Sequence, residues 1–372
     1  MTLETWLEEI LILRKEKDLF RELKTTKGLI DFCSNDYLGL AHSETLYNKI
    51  EQQYEALQIK RNGATGSRLI TGHSELIEEV EIKLASIFKA EAALIFNSGY
   101  TANLAIFSSL PQKNDTILFD ELAHASIRDG ARLSLAKRFS FRHNDLNDLE
   151  AKLKRAEGRI FIAVESVYSM DGDECDLPGL TSLASKYNAC LILDEAHSTG
   201  VAGQRGSGMA TALGLDNKVN VRLYTFGKAM GTHGACIAGS KNLIQFLINF
   251  ARPFIYTTGL SPHSIVSIAS AFDYVEENIY LQNDLQKNVK LFLDGIGKIE
   301  NRTSSQSAIQ TVLFPGNNNV RLAAITLQAA GFDIRPILSP TVPAGSERLR
   351  ICLHTYNTSG EIAKLTHELK QL

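Results

Sequence analysis

The chain is poor in cysteine. Its 372 residues include 5 cysteines, at positions 33, 175, 190, 236 and 352, with no C-x-x-C pair among them. That spacing argues against a disulfide framework or a structural zinc site, so no metal is expected, and it fits a reducing cytosol. Long apolar runs are missing too. Ile10-Leu11-Ile12-Leu13 is too short for a secretory signal core and follows the acidic Glu4, Glu8 and Glu9. No later stretch could span a bilayer, so a cytoplasmic protein with no membrane partner is expected. Positive charge is not in excess: 39 Lys and Arg stand against 42 Asp and Glu, a formal net charge of −3. A global basic field for holding nucleic acid is thereby excluded.

A phosphate loop of the form G-x-x-x-x-G-K-[ST] is also lacking. The Gly-Lys pairs are Gly297-Lys298, followed by Ile299, and Gly227-Lys228, followed by Ala229. Asp194-Glu195-Ala196-His197 therefore does not mark a nucleic-acid-dependent ATPase, although its letters suggest one. Gly203, Gly206 and Gly208 do not have the G-x-G-x-x-G spacing, which leaves a dinucleotide site unsupported. No fixed-period repeat is present, so a solenoid is not expected.

What is present reads as a globular enzyme. Hydrophobic residues make up 44% and charged residues 22% of a chain long enough for two packed domains, or three. Residues 3–24 have the period of an amphipathic helix, with Leu3, Trp6, Leu7, Ile10, Leu11 and Leu13 on one side. A turn around Lys27-Gly28 precedes a short strand over 29–32. Ser74 is placed to cap a helix with Glu75, Glu78 and Glu79 in its first turn and Ile77, Val80, Leu84 and Ile87 inward. The apolar runs 93–96, 116–119, 160–164 and 190–193 then alternate with stretches of helical period, the signature of an α/β domain on a largely parallel sheet. Beyond about residue 280 the pattern becomes mixed and ends in a strand-like 347–353 and a helix.

Ligands of open parallel sheets sit beyond the carboxyl ends of the strands, so the residues after each run carry the interest. Ser98-Gly99-Tyr100 opens a helix, whose free N–H groups suit a phosphate. His124 follows the second run, and Asp194 and His197 follow the fourth. Val221-Arg222-Leu223-Tyr224 leads to Thr225-Phe226-Gly227-Lys228, with little side-chain bulk after the lysine. Such a lysine is either a solvated loop residue or, if desolvated, a neutral amine able to bind an aldehyde. A phosphate loop, a strand-end carboxylate and a lysine, in this order, are the three supports pyridoxal phosphate needs.

The set of motifs resembles the α-oxoamine synthase family of pyridoxal phosphate enzymes over almost the whole chain. Its carriers are residues 34–40 (SNDYLGL), Ser98-Gly99-Tyr100, His124-Ala125-Ser126, residues 169–173 (SMDGD), residues 194–197, residues 225–228 and residues 341–345 (TVPAG). The resemblance implies an aspartate aminotransferase-like fold of type I. It divides the chain into an N-terminal helix and segment over 1–40, a large cofactor-binding α/β domain over 41–280 and a small α+β domain over 281–372. Lys228 would bind the cofactor aldehyde, Asp194 pair with the ring nitrogen, His197 bond the phenolic oxygen and His124 stack on the ring. Ser98, Gly99, Tyr100, Ser169 and Thr225 would be further cofactor contacts, and Thr257 and Thr258 would reach the phosphate of a neighbouring subunit. Arg350 would grip the substrate carboxylate, with Arg21, Asn35 and Ser67 nearby. A homodimer with shared active sites follows from the same resemblance. The implied reaction is decarboxylative condensation of an amino acid with an acyl thioester. The form of residues 225–229, together with Ser67 in place of threonine, points to L-alanine and a pimeloyl group carried on coenzyme A or a carrier protein. Glycine C-acetyltransferase, 5-aminolevulinate synthase and serine palmitoyltransferase chemistry are the alternatives. Ser198 departs from the family's usual glycine.

Overall fold

Four strands end on the residues that matter most for the site. In the computed structural model, which describes residues 1–372 apart from 18, 24, 26, 27, 59 and 300, the apolar runs form β2 (Ala92–Phe96), β3 (Thr116–Asp120), β5 (Ile160–Glu165), β6 (Cys190–Asp194) and β7 (Val221–Thr225). Each of the last four carries one polar residue beyond its apolar run: Asp120, Glu165, Asp194 or Thr225. With β4 (Lys137–Phe141) and β8 (Ala235–Gly239) they make a seven-stranded sheet of order β2-β8-β7-β6-β5-β3-β4. β8 runs antiparallel to β2 and β7, and the other pairings are parallel. Alternate residues feed two cores, one on each face: Leu191 and Leu193 enter one, Ile192 the other. A sheet covered on both faces requires near-continuous apolar strands, which is what made these runs visible. β4 escaped that test because only Phe141 of its Lys-Arg-Phe-Ser-Phe is buried at the sheet edge.

The helices that follow the strands set the backbone donors. α1 (Leu3–Glu16), α2 (Glu44–Glu55), α3 (Glu75–Ile87), α4 (Gly99–Ser109) and α5 (Ala125–Leu133) come first in chain order. α3 buries Ile77, Val80, Leu84 and Ile87 as expected, but the Ser74 side chain makes no capping bond. Ser98 does cap α4, accepting from the Thr101 N–H at 3.2 Å. α1 corrects the expectation of a helix over 3–24: it stops at Glu16 and buries none of its residues. Its apolar stripe has the right period, but among the described residues nothing buries it. The turn placed around Lys27-Gly28 falls partly outside the described residues.

A second sheet, β9 (Ile309–Leu313), β11 (Arg335–Ile337) and β12 (Arg348–Cys352), is antiparallel with order β11-β12-β9. β1 (Ile30–Asp31) pairs with β10 (Phe332–Asp333), and the Cys352 N–H donates to the Phe32 carbonyl at 2.8 Å. The segment after β1 is thereby laid beside β12, so Asn35 and Tyr37 reach Arg350.

Candidate active site

A cavity of about 220 Å³ opens at the carboxyl ends of β5, β6 and β7, lined among others by Ser98, Gly99, His124, Asp194, Thr225 and Lys228. Gly99 is dictated by packing: a Cβ there would lie 2.4 Å from Thr225 Cγ2, so α4 starts close against β7 only with glycine. On the cavity floor Asp194 accepts from the Ala196 N–H at 2.9 Å and from Asn103 Nδ2 at 2.8 Å. Asn103 also donates to Ser126 Oγ at 2.9 Å, and that hydroxyl meets His124 Nδ1 at 2.7 Å. Because the Ser126 N–H also points at Nδ1, that nitrogen is an acceptor and a neutral His124 carries its proton on Nε2. Burial lowers the His124 pKa, against the pull of Asp194.

A second chain of hydrogen bonds starts at the lysine. Lys228 Nζ lies 2.9 Å from His197 Nε2, and His197 Nδ1 lies 2.8 Å from the Tyr37 hydroxyl. Tyr37 donates to Asn35 Oδ1 at 3.0 Å, and Arg350 Nη2 donates to the same oxygen at 2.9 Å. With the tyrosine proton on Asn35, the phenol oxygen accepts from His197 Nδ1–H, so Nε2 presents its lone pair to the lysine. Burial, then the charges of Lys228 and Arg350, push the His197 pKa well below its ordinary value, keeping the ring neutral. Burial also pushes Lys228 down, to about 8, although Asp194 and Glu165 work to keep it charged. Arg350 Nε donates to the Ser169 carbonyl at 2.6 Å, which ties the 169–173 segment to β12.

The structure gathers Ser98, Gly99, Tyr100, His124, Asp194, Thr225 and Lys228 around one cavity and links His197, Asn35 and Arg350 to it. Ser169 lines the neighbouring cavity on the other side of His124 instead. Thr257 and Thr258 are held by Asn97 Nδ2, at 3.4 Å to the Thr257 hydroxyl and 2.8 Å to the Thr258 carbonyl, and Ser67 bridges to Thr258. None of these three lines the Lys228 cavity, and neither does Arg21, which is exposed ahead of β1. Ser198, in place of the expected glycine, bonds Ser166 Oγ at 2.8 Å and donates to the Glu195 carboxylate, so it supports the turn after β6.

Three residues carry site geometry that sequence reasoning gave no role. Tyr37 stood inside the 34–40 motif, and Asn103 follows Ser98-Gly99-Tyr100 one helical turn on. Glu165 ends its strand directly opposite Asp194, as the last residue of an apolar run, and this signal matched that of Asp194 itself. Its carboxyl accepts from the His124 N–H at 2.6 Å. Burial, followed by the Asp194 charge, pushes its pKa up to about 8.

The chain matches the model of the aminotransferase class I and II family over residues 27–367 and belongs to that family. Its fold is the type I fold of pyridoxal phosphate enzymes: a serine palmitoyltransferase of Sphingomonas wittichii superposes with a TM-score of 0.90 at 25% identity, over 100% of this chain and 98% of that one. Within the family it groups with the 8-amino-7-oxononanoate synthases. A putative one from Halalkalibacterium halodurans is 37% identical over 98% of this chain and 95% of its own length, and one from Emericella nidulans is 39% identical over 94% and 91%. The crystal structure of the Francisella tularensis synthase gives a TM-score of 0.77 at 28% identity, covering 92% of this chain and 98% of that one. Pyridoxal phosphate is the cofactor that this membership implies, and the donor set fits it. A carboxylate sits at the floor, a helix start with free N–H groups lies at one end, and a desolvated lysine stands beside a neutral imidazole.

Proposed function

We propose that the protein condenses L-alanine with a pimeloyl thioester, on coenzyme A or a carrier protein, to give 8-amino-7-oxononanoate, the free thiol and carbon dioxide, as a step in biotin synthesis. The observation that carries this reading is the half-buried Lys228 amine at 2.9 Å from a neutral His197, above Asp194, in a chain that groups with synthases of that name. Bound pyridoxal phosphate supplies the electron sink for charge that develops at the amino-acid Cα. The protein's own residues do the rest. Lys228 would hold the aldehyde, Asp194 would pair with the ring nitrogen, His197 would bond the phenolic oxygen and His124 would cover the ring. Ser98, Gly99 and Tyr100 hold the phosphate, with Thr225 and Ser169 as further contacts. Arg350 would take the alanine carboxylate in a bidentate grip beside Asn35, with Arg21 reaching the substrates from the N-terminal segment. The Lys228 amine would accept the Cα proton; burial lowers its pKa to about 8, which brings its neutral form within reach near neutral pH.

Ser67, Thr257 and Thr258 do not line the Lys228 cavity of their own chain, Ser67 bridges to Thr258, and the apolar stripe of α1 is exposed. Both features support a homodimer in which each subunit completes its neighbour's site. The five free thiols support a cytoplasmic location.

Reduction with borohydride followed by peptide mapping is expected to fix the cofactor on Lys228, and a label on another lysine would overturn the assignment. Competition among alanine, glycine and serine against pimeloyl-, acetyl-, succinyl- and palmitoyl-CoA is expected to give the highest kcat/KM for alanine with pimeloyl-CoA. If another pair wins, the substrates are wrong while the family stands.

A further inference from the structure

Glu165 is a buried carboxyl for which the proposed reaction has no use. It ends β5 directly opposite Asp194 on β6, and parallel partners present their side chains to the same face, so both carboxyls reach the Lys228 cavity. Only 2% of Glu165 is exposed. Its Oε1 accepts from the His124 N–H at 2.6 Å. His124 is the N-cap of α5, so that bond fixes the point where the chain turns into the helix. The imidazole is tied down separately. The Ser126 N–H and hydroxyl both meet Nδ1, and Ser126 Oγ leads through Asn103 Nδ2 back to Asp194. His124 is thus anchored through its backbone to the end of β5 and through its ring to the end of β6.

From this arrangement we infer that Glu165 is a positioning residue, which seats His124 over the cofactor ring by accepting its backbone N–H. The inference rests on the proposed place of His124 and adds a cause for it. Take the acceptor away and a buried N–H at the start of α5 loses its partner, so the first turn moves to find another and carries the imidazole with it. The task does not call for a charge. Two buried carboxyls side by side do not both ionise cheaply. Asp194 has a donor on each oxygen, the Ala196 N–H and Asn103 Nδ2, whereas among the described residues Glu165 has the His124 N–H alone. Asp194 therefore keeps the charge and Glu165 takes the proton. Burial and the Asp194 charge raise the Glu165 pKa to about 8, although Lys228 and the His124 N–H work against them. A protonated carboxyl still accepts through its carbonyl oxygen. Glutamine is for this reason the closest substitute, and aspartate, shorter by one carbon–carbon bond of about 1.5 Å, is a poor one.

The test titrates pyridoxal phosphate into the wild type, E165Q, E165D, E165L, H124A and the double variant H124A/E165L. It reads the dissociation constant and the visible circular dichroism of the bound cofactor, and thermal melts without cofactor show which variants fold. H124A, E165L and E165D are each expected to weaken cofactor binding about fivefold or more, the scale of one buried hydrogen bond, and to change the dichroism alike. E165Q is expected to stay within about twofold of the wild type, since its amide oxygen accepts the same N–H. The double variant is expected to bind no more weakly than H124A, because both changes remove one contact, whereas a carboxyl that merely supports the fold lowers affinity in either background. The inference is overturned, and the place of His124 stands, if H124A moves both signals while E165L and E165D move neither. It is overturned equally if E165Q loses as much as E165L, or if the two effects add in the double. If H124A moves neither signal in a protein that binds the cofactor, His124 is not at the ring and the inference falls with that reading. Should E165L not fold, E165D and E165Q decide the matter by themselves.

Discussion

Lys228, His197, Tyr37, Asn35 and Arg350 form one unbroken hydrogen-bonded line, so a change in any one of them is felt at both ends. Tyr37→Phe removes the acceptor of the His197 Nδ1–H and the donor to Asn35, and each lost or orphaned bond costs about 1–3 kcal/mol. We expect KM for alanine to rise roughly 5- to 30-fold with a smaller fall in kcat, because the arginine end loses its support while the lysine stays in place; steady-state kinetics with alanine varied decides it. Asp194→Asn preserves the shape but leaves one oxygen where Ala196 N–H and Asn103 Nδ2 each bond a separate one, and it removes the charge offered to the ring nitrogen. Turnover is expected to fall by roughly 10²-fold or more, the scale of losing a preorganised electrostatic partner, while cofactor binding survives. Near-normal turnover in that variant would show that the carboxylate has another task.

Between residue and sheet stands the loop over 168–174, held by an element of its own. His143, just beyond β4, sets its ring between Asp120 at 2.9 Å and Asp173 at 2.7 Å, edge-on to Tyr168. Asn144 donates to the Asp173 carboxylate at 2.7 Å and to the Glu174 carbonyl at 3.1 Å. Gly172 makes the turn feasible: its φ of +74° is left-handed, and a Cβ there would meet the Ile309 carbonyl at 2.1 Å. The loop's Ser169 carbonyl and Asp171 carboxylate hold Arg350 and Arg348, so the clamp fixes both arginines of β12. Burial works against the charge on His143, but the two carboxylates prevail and raise its pKa from 6.5 to about 10. A pKa raised on folding adds stability that is fully present below the unfolded value near 6.5 and is lost as pH rises through about 10. His143→Gln is therefore expected to lower Tm most at pH 6 and progressively less up to pH 10.5, its cost at low pH being about 1.5–3 kcal/mol for charge-assisted bonds. Thermal melts of both proteins across that range test this, and a Tm difference independent of pH would remove the imidazolium from the account.

At the scale of the whole molecule, the proposed homodimer with shared sites gives the sharpest expectation. A Lys228→Ala subunit lacks the lysine, and a Thr257→Val, Thr258→Val subunit lacks the groups offered to its neighbour. Mixed and reassociated, half the dimers are hybrids with one intact site of two, so activity should recover to about a quarter of wild type; sites built within single chains recover nothing. Much of this architecture is legible without coordinates. Apolar runs flanked by turns identify the strands of a sheet covered on both faces, and the strand-end rule then points at Asp194, His124 and Lys228, because period and composition are local properties. Glycine before a helix, as at Gly99, is legible for the same reason. Other features depend on what a residue meets far along the chain. The edge strand β4 has no apolar period to read, and α1 has the period but no buried face, since amphipathicity does not say what covers it. The sequence alone determined the alternation of strands and helices and the class of cofactor chemistry, and it nominated the residues proposed to perform it. Only the tertiary structure decided that Tyr37 and Asn35 join His197 to Arg350, that Glu165 lies against Asp194, that Ser169 lines the neighbouring cavity and that His143 is held between two carboxylates that raise its pKa. Those roles are set by hydrogen bonds and desolvation between segments up to 315 residues apart.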